Sequence, residues 1–308
     1  MSPAPTSRRY RIAGLVVRSA FILQGAPTDT TQDADDLVIE DGRARGPAPD
    51  GARHATSADG RRVRLVAPDG GRFLVEDGAR VTAWPADGFD AGTLAQWLMG
   101  PVLAVASLQR DRLVLHGATV QIGPAAIIVI GHSGVGKSTI AAACAARGHA
   151  VLADDITVID DAATGWPQLH AHAPLVRLHE APEVLPVMAR WAASDKQAFA
   201  LPAAAPGSPE IAAIVSVADG DAGLERLSAA AAAFALVTYS FCQPILTGAQ
   251  RAANLRQCAH VASRVPVWRV TRPRDLSAVQ EVVRVLETLV GDLSHARLPR
   301  TPLDEEIR

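Results

Sequence analysis

One stretch of the chain leaves little freedom in how its surroundings fold: Gly131-His132-Ser133-Gly134-Val135-Gly136-Lys137-Ser138. Its spacing, G-x-x-x-x-G-K-S, requires a strand ahead of it and a helix behind it. Both are legible. Ala125 to Ile130 is an unbroken apolar run of strand length, and an Ala-rich stretch from about Ser138 reads as a helix ending at Arg147-Gly148, glycine being the usual residue beyond a helix C-terminus. The glycines let the backbone curl so that successive amides point inward at phosphate oxygens, and the helix N-terminus adds a favourable dipole. The pattern therefore predicts a phosphate cradle in an α/β domain, formed by Gly131, Ser133, Gly134, Val135, Gly136, Lys137, Ser138 and Thr139. His132 occupies a position that many residues suit, because the backbone does the binding.

In such a loop Lys137 reaches the β- and γ-phosphates of a nucleotide such as ATP, and Ser138 supplies its hydroxyl to Mg2+. The next strand, Ala150 to Ala153, closes with Asp154-Asp155 and brings two carboxylates to the same end of the sheet as the loop. Neighbouring strand residues face opposite ways, so one carboxylate is expected to hold the metal and the other to accept a proton from an attacking hydroxyl. Composition singles out one further residue. Of 30 Lys plus Arg, only Lys137 and Lys196 are lysines, so a surface charge here defaults to Arg and a surviving lysine is a candidate phosphate contact. Lys196 is expected in a loop between Ala193 and Pro209. Arg177 is a further phosphate candidate and Glu180 a candidate second metal contact. His170, His172 and His179 lack the companion ligands and helical register of a zinc site.

The rest of the chain divides at about residue 90. Arg62 to Ala67, Arg72 to Glu76 and Arg80 to Trp84 read as strands joined by Asp-Gly turns, and Thr28 to Gly60 as loop-rich, giving a small β-rich domain over residues 1–90. Ala91 to Leu108 has helical spacing, bent at Pro101, and is expected to join that domain to a second one over residues 91–294. In the second, Leu113 to Ile122 and Ala125 to Ile130 form an antiparallel pair, and Ile156 to Ile159 extends or pairs with Ala150 to Ala153. Further strands are expected at Ile211 to Val217 and Pro266 to Val270. Helices are expected near Glu183 to Trp191, Ser228 to Val237, Gln250 to Ser263 and Leu276 to Leu289, ahead of a polar tail over 295–308. A net charge of -2 gives no electrostatic case for nucleic acid. Neither a signal peptide nor an apolar run of membrane-spanning length is apparent, so no membrane partner is expected. Three cysteines, Cys144, Cys242 and Cys258, form no CxxC pair, which fits a reducing cytoplasm. Self-association to a homo-oligomer stays open.

His116, fifteen residues before Gly131, the loop itself, Arg147-Gly148-His149 and Leu152-Ala153-Asp154-Asp155 together resemble the C-terminal catalytic domain of the HPr serine kinase/phosphorylase family. The resemblance spans Leu113 to Asp160. It is nearest to the shorter HPr-kinase-like proteins of lasso-peptide biosynthesis clusters, which Pro266-Val267-Trp268 to Pro273-Arg274-Asp275 also resembles. It implies a P-loop kinase domain of the phosphoenolpyruvate-carboxykinase/HPr-kinase type. It further implies ATP and Mg2+ as cofactors and a peptide or protein substrate with an acceptor serine, a lasso-peptide precursor. By the same resemblance Asp154 is the base, Asp155 contacts the metal, and His116 sits by the catalytic aspartate. Two departures set the chain apart. Thr139 stands where authentic HPr kinases carry Glu, and their glycine-rich signature is not visible around Pro174 to Glu180, which argues against phosphorolysis and against HPr as substrate. A small-molecule kinase and a non-catalytic nucleotide-binding assembly module remain alternatives.

Overall fold

The computed structural model describes residues 7–296 apart from 52–53, 161–164, 181–182, 194–195, 205–206, 242 and 276, so Cys242 and most of the expected tail lie outside the described residues. In the first ninety residues, short alternating runs pair into one seven-stranded sheet. Its strands are β1 (Arg8–Ile12), β2 (Leu15–Ser19), β3 (Leu37–Asp41), β4 (Ala55–Thr56), β5 (Arg62–Val66), β6 (Arg72–Glu76) and β7 (Arg80–Trp84), in the order β1-β2-β3-β7-β6-β5-β4. Alternation decides the buried face: Val63 and Leu65, Phe73 and Val75, Val81 and Ala83 all point inward. The Thr28 to Gly60 stretch is more ordered than its composition suggests, because Leu37 and Ile39 place β3 at the centre of the sheet between two parallel neighbours.

Onto this sheet folds a broken helix, α1 (Ala91–Trp97) and α2 (Leu103–Leu108), joined by a π-turn over Leu98–Val102. Asp90 caps its start by accepting from the Thr93 amide. The break has the expected cause, since Pro101 removes a donor, and Gly100 leaves helical geometry altogether at φ -93°, ψ -106°. Ala91–Leu108 is apolar and long enough by composition to cross a membrane, but it is mostly buried against the sheet. The segment does more than join two domains. Leu94, Leu98, Val102 and Val105 share one core with Phe73 and Val75, and also with Val114, Ile156 and Val158 of the second sheet.

That second sheet contains β8 (Leu113–Ile122), β9 (Ala125–Ile130), β10 (Ala150–Ala153), β11 (Ile156–Asp160) and β12 (Gln168–His170), with β16, β17 and β18 from later in the chain. Helix α3 (Lys137–Ala146) lies between β9 and β10. A separate antiparallel sheet, β13-β15-β14, is formed by β13 (Leu175–Leu178), β14 (Ala189–Ala193) and β15 (Lys196–Ala200). After it come β16 (Glu210–Asp219), β17 (Gly223–Arg226), α4 (Ala229–Thr238), α5 (Gly248–Arg264), β18 (Val267–Arg272) and α6 (Ser277–Ala296). The main order is β12-β11-β8-β9-β16-β18-β17. Helices α3 and α6 cover one face, and α4 and α5 the other. This explains why β9 reads as a continuous apolar run: both of its faces are buried.

Two expectations fail here. No helix forms over Glu183 to Trp191. Pro186 interrupts the run, and Ala189–Ala193 pairs as a strand with β15 instead. Lys196 is consequently the first residue of a strand rather than part of a loop. The sheet is mixed: β8 runs antiparallel to β9, as expected, and to β11 as well, while β9 pairs in parallel with β16. Strands β10 and β11 do not pair with each other. They lie end to end along β8, with one extra residue between Val151 and Ala153 and a single register from there onward. The aspartate pair thus sits within a long interrupted strand, and β8 and β11 continue past the glycine-rich loop as a wall.

Candidate functional site

The glycine-rich loop is held from two sides. At Gly131 a side chain is excluded outright, since a Cβ there would lie 2.8 Å from the Val217 carbonyl of the neighbouring strand. At Gly136, φ is +96°, and a Cβ would lie 2.8 Å from Nη2 of Arg272. Arg272 ends β18 and is buried. It donates from Nη2 to the Val135 carbonyl at 2.9 Å, and from Nη1 to the carbonyls of Pro273 at 2.8 Å and Asp275 at 3.1 Å. Sequence reasoning missed this residue. Its only signal is its place at the end of an apolar strand, and it is one arginine among many. Val135 contributes its backbone alone, its side chain being packed in the core beneath the loop.

Helix α3 starts at Lys137, capped by Gly136. The Lys137 ammonium folds back to donate to the carbonyls of Gly131 at 2.8 Å and His132 at 3.0 Å. Burial lowers its pKa although both aspartates oppose the shift. Ser138 donates from Oγ to Oδ1 of Asp154 at 2.8 Å, while Oδ2 of Asp154 accepts from the Arg177 amide at 2.9 Å. Asp155 takes a φ of +81°, a strained value for a side-chain-bearing residue. On a regular strand the two carboxylates would face opposite ways, whereas this backbone turns both onto one cavity.

The resemblance placed His116 by Asp154, and the structure places it against Asp155 instead. Its Nδ1 donates to the Asp155 carbonyl at 3.0 Å and lies 3.5 Å from Oδ1 of that side chain. The Arg177 guanidinium pairs with the other oxygen, Oδ2, at 2.5 Å. These neighbours pull the two aspartates apart. Burial pushes Asp154 up, helped by the adjacent Asp155 charge and only partly countered by Arg177. Burial would push Asp155 up as well, but Arg177, His116 and Lys137 outweigh it and hold its carboxyl below the ordinary value.

The cavity occupies about 680 Å³. Ser133, Gly134, Gly136, Lys137, Ser138 and Thr139 form its loop side, and His116, Asp154, Asp155 and Arg177 its floor. His179, Glu180, Glu183 and Lys196 close the side contributed by the three-stranded sheet and the loop after β13. Lys196 therefore faces the loop from β15, and its charge is felt at Lys137. The three expected non-zinc histidines are scattered. His179 lines this cavity, His172 is buried and donates from Nε2 to the Met99 carbonyl, and His170 lies on β12 near Asp160. Arg147 and His149 both reach Glu287, tying the end of α3 to α6 rather than entering the site.

Fold and site together describe a mixed α/β protein whose glycine-rich loop opens onto a pair of carboxylates held in opposite protonation tendencies. Residues 108–174, which include His116, the loop and both aspartates, match the HPr Serine kinase C-terminal domain family. Arg177, Lys196 and Arg272 lie beyond that match. No curated protein matches the chain. Among solved structures it is similar to the Hpr(Ser) kinase/phosphatase from Coxiella burnetii, at 12% identity and a TM-score of 0.31, covering 59% of this chain and 96% of that one.

Proposed function

We propose that the protein is an ATP-dependent serine kinase, moving the γ-phosphoryl group of ATP to a serine hydroxyl of a peptide or protein. The observation that carries this reading is geometric: the glycine-rich loop and both aspartates line one cavity, with Ser138 Oγ 2.8 Å from Oδ1 of Asp154, and burial raises Asp154 while Arg177 holds Asp155 low. The loop suits a polyphosphate, because Lys137 rests on loop carbonyls that it exchanges for phosphate oxygens without leaving the cradle. Mg2+ is usually held by one or two carboxylates plus substrate phosphates. The Ser138 hydroxyl and Asp155 fit that demand, and no cluster of three or more His, Cys, Asp or Glu among the described residues is arranged to hold an ion alone. When bound, the ion neutralises charge on the β- and γ-oxygens.

In this reading Oδ1 of Asp154, which accepts from the Ser138 hydroxyl at 2.8 Å, would be the proton acceptor, and Ser138 and Asp155 would hold the ion. The acceptor hydroxyl gives its proton to that oxygen and its oxygen forms the new bond to the γ-phosphorus. The bond from that phosphorus to the bridging oxygen breaks, and ADP departs. Arg177 holds Asp155 in its charged form, and Lys196 is positioned to meet phosphate from the opposite wall. The finer substrate reading, a lasso-peptide precursor, rests on the resemblance of residues 113–160 and the 266–275 segment. Burial pushes the Cys144 thiol up to about 12 and keeps it unreactive.

The test is to incubate the purified protein with Mg-ATP and a synthetic precursor C-terminus, weigh the peptide for one added phosphoryl group and map it by fragmentation. Phosphate on serine, abolished by Lys137→Ala, supports the kinase. Efficient labelling of a sugar or nucleoside instead of the peptide moves the protein to the small-molecule kinases. Tight ATP binding with no transfer to any acceptor leaves a nucleotide-binding module.

A further inference from the structure

Three arginines stand beside the glycine-rich loop and the carboxylates, and they are held very differently. Arg177 is paired with Asp155 at 2.5 Å. Arg272 is buried and fixed by three carbonyls. Arg274 has a side chain 74% exposed, and its ion pair is loose, Nη1 lying 3.9 Å from Oδ2 of Asp219. Its head nevertheless stands against the loop, since a Cβ built on Gly134 would lie 3.9 Å from Nη2 of Arg274. From this we propose that Arg274 is a further phosphate-binding residue, which leaves Asp219 when a nucleotide arrives and closes over Gly134 onto its phosphates. The proposal rests on the nucleotide-cradle part of the reading above and adds a moving contact to it.

Topology puts the residue there. Strands β9, β16 and β18 run parallel, side by side, and ligands of α/β sheets lie outside the carboxyl ends of such strands. Strand β9 ends at Ile130, opposite Ser216, and gives way to the loop. Its neighbours run on, pairing Asp219 with Arg272, which brings Asp219 and Arg274 alongside the loop. The backbone around Arg274 is pinned. Pro273 before it has a set φ, and the carbonyls of Pro273 and Asp275 both accept from Arg272. Asp275 in turn accepts from the Ala278 amide in the first turn of α6, at 2.8 Å. A fixed stem thus carries a loosely held guanidinium, and only the side chain has to turn.

Charge supplies the reason for it to turn. The cavity is lined by the carboxylates of Asp154, Asp155, Glu180 and Glu183 against the cations of Lys137, Lys196 and Arg177, the last already engaged by Asp155. A triphosphate adds further negative charge. At 3.9 Å the guanidinium makes no hydrogen bond to Asp219, whereas phosphate oxygens accept two parallel donors from it. The exchange replaces a screened surface pair, which contributes little, with a charge-assisted contact. Asp219 keeps the head beside the loop in the meantime.

The experiment is calorimetry on the full chain with two probes, Mg-ATP and inorganic tripolyphosphate, and needs no acceptor. Arg274→Ala should raise Kd for both probes at least tenfold. Arg274→Lys should recover only part of that loss, because an ammonium is a point charge without the paired donors of a guanidinium. Asp219→Asn, which releases the latch, should bind both probes at least as tightly as the wild type. Wild-type affinities in Arg274→Ala would overturn the proposal and return the residue to an ordinary surface pair. Weakened ATP with unchanged tripolyphosphate would overturn it too, moving Arg274 to the nucleoside end. Asp219→Asn as weak as Arg274→Ala would show a structural tie in place of a latch. If the expected losses appear while no peptide is ever phosphorylated, the kinase reading falls and the phosphate contact stands. Failure of the wild type to bind either probe overturns both.

Discussion

Gly136→Ala tests how the loop is held. At φ +96° an alanine carries a backbone cost of about 1–2 kcal/mol for left-handed geometry. Its new methyl would also sit 2.8 Å from Nη2 of Arg272. A flexible surface arginine would simply swing aside, but this one is buried and fixed by three carbonyls. Moving it breaks the 2.9 Å bond to the Val135 carbonyl, a charged hydrogen bond of the kind that contributes about 1.5–3 kcal/mol. The total is about 2.5–5 kcal/mol. Urea unfolding of the wild type, Gly136→Ala, Arg272→Met and the double variant separates the two parts. With Arg272 already removed, Gly136→Ala should cost only its backbone part, so the pair should couple by about 1.5–3 kcal/mol. Additive costs, with no coupling beyond about 0.5 kcal/mol, would refute the claim that the guanidinium holds the loop.

Asp154→Asn should keep nucleotide affinity and lose transfer, since the amide preserves shape but takes no proton. Calorimetry showing ATP binding lost instead would make Asp154 a binding residue and put Asp155 first as base. Lys196→Arg should lower activity despite the conserved charge, because a planar guanidinium does not fit a site shaped for an ammonium; wild-type kinetics would return the residue to a surface role. His172 predicts a pH dependence. Its folded pKa of about 4 lies below the 6.5 of the unfolded chain, so above pH 6.5 it has no effect. As pH falls from 6.5 toward 4 the unfolded state alone takes the proton, and about 3 kcal/mol of stability is lost. Denaturant unfolding across that window should show a shallower loss for His172→Asn than for the wild type, and parallel curves would disprove the assignment.

Wherever local pattern dictates structure, the sequence could be read directly. The apolar run before Gly131, the alternation of β5 to β7 and the 3.6-residue spacing of α6 each bury a face that only one conformation can bury. The loop was legible because its glycines answer to steric needs that no other residue meets. The remainder depended on distant partners. Ala189–Ala193 has the composition of a helix and becomes a strand because β15 is there to pair with it. The common aim of Asp154 and Asp155 follows from one positive φ, which the strand pattern contradicts. Arg272 looks like any other arginine until β18 lies beside the loop.

The bond between Arg272 and Val135 has a consequence in time as well as in space. It spans 137 residues, and β9, the strand that feeds the loop, takes its parallel partner from β16, far downstream. At ribosomal rates of about 5–20 residues per second, the loop waits on the order of ten seconds for its last support to be made. During that interval the nascent chain carries the full glycine-rich sequence without the contacts that shape it. The finished shape of the loop is therefore a late event in the life of this chain, arriving with the docking of its final strand.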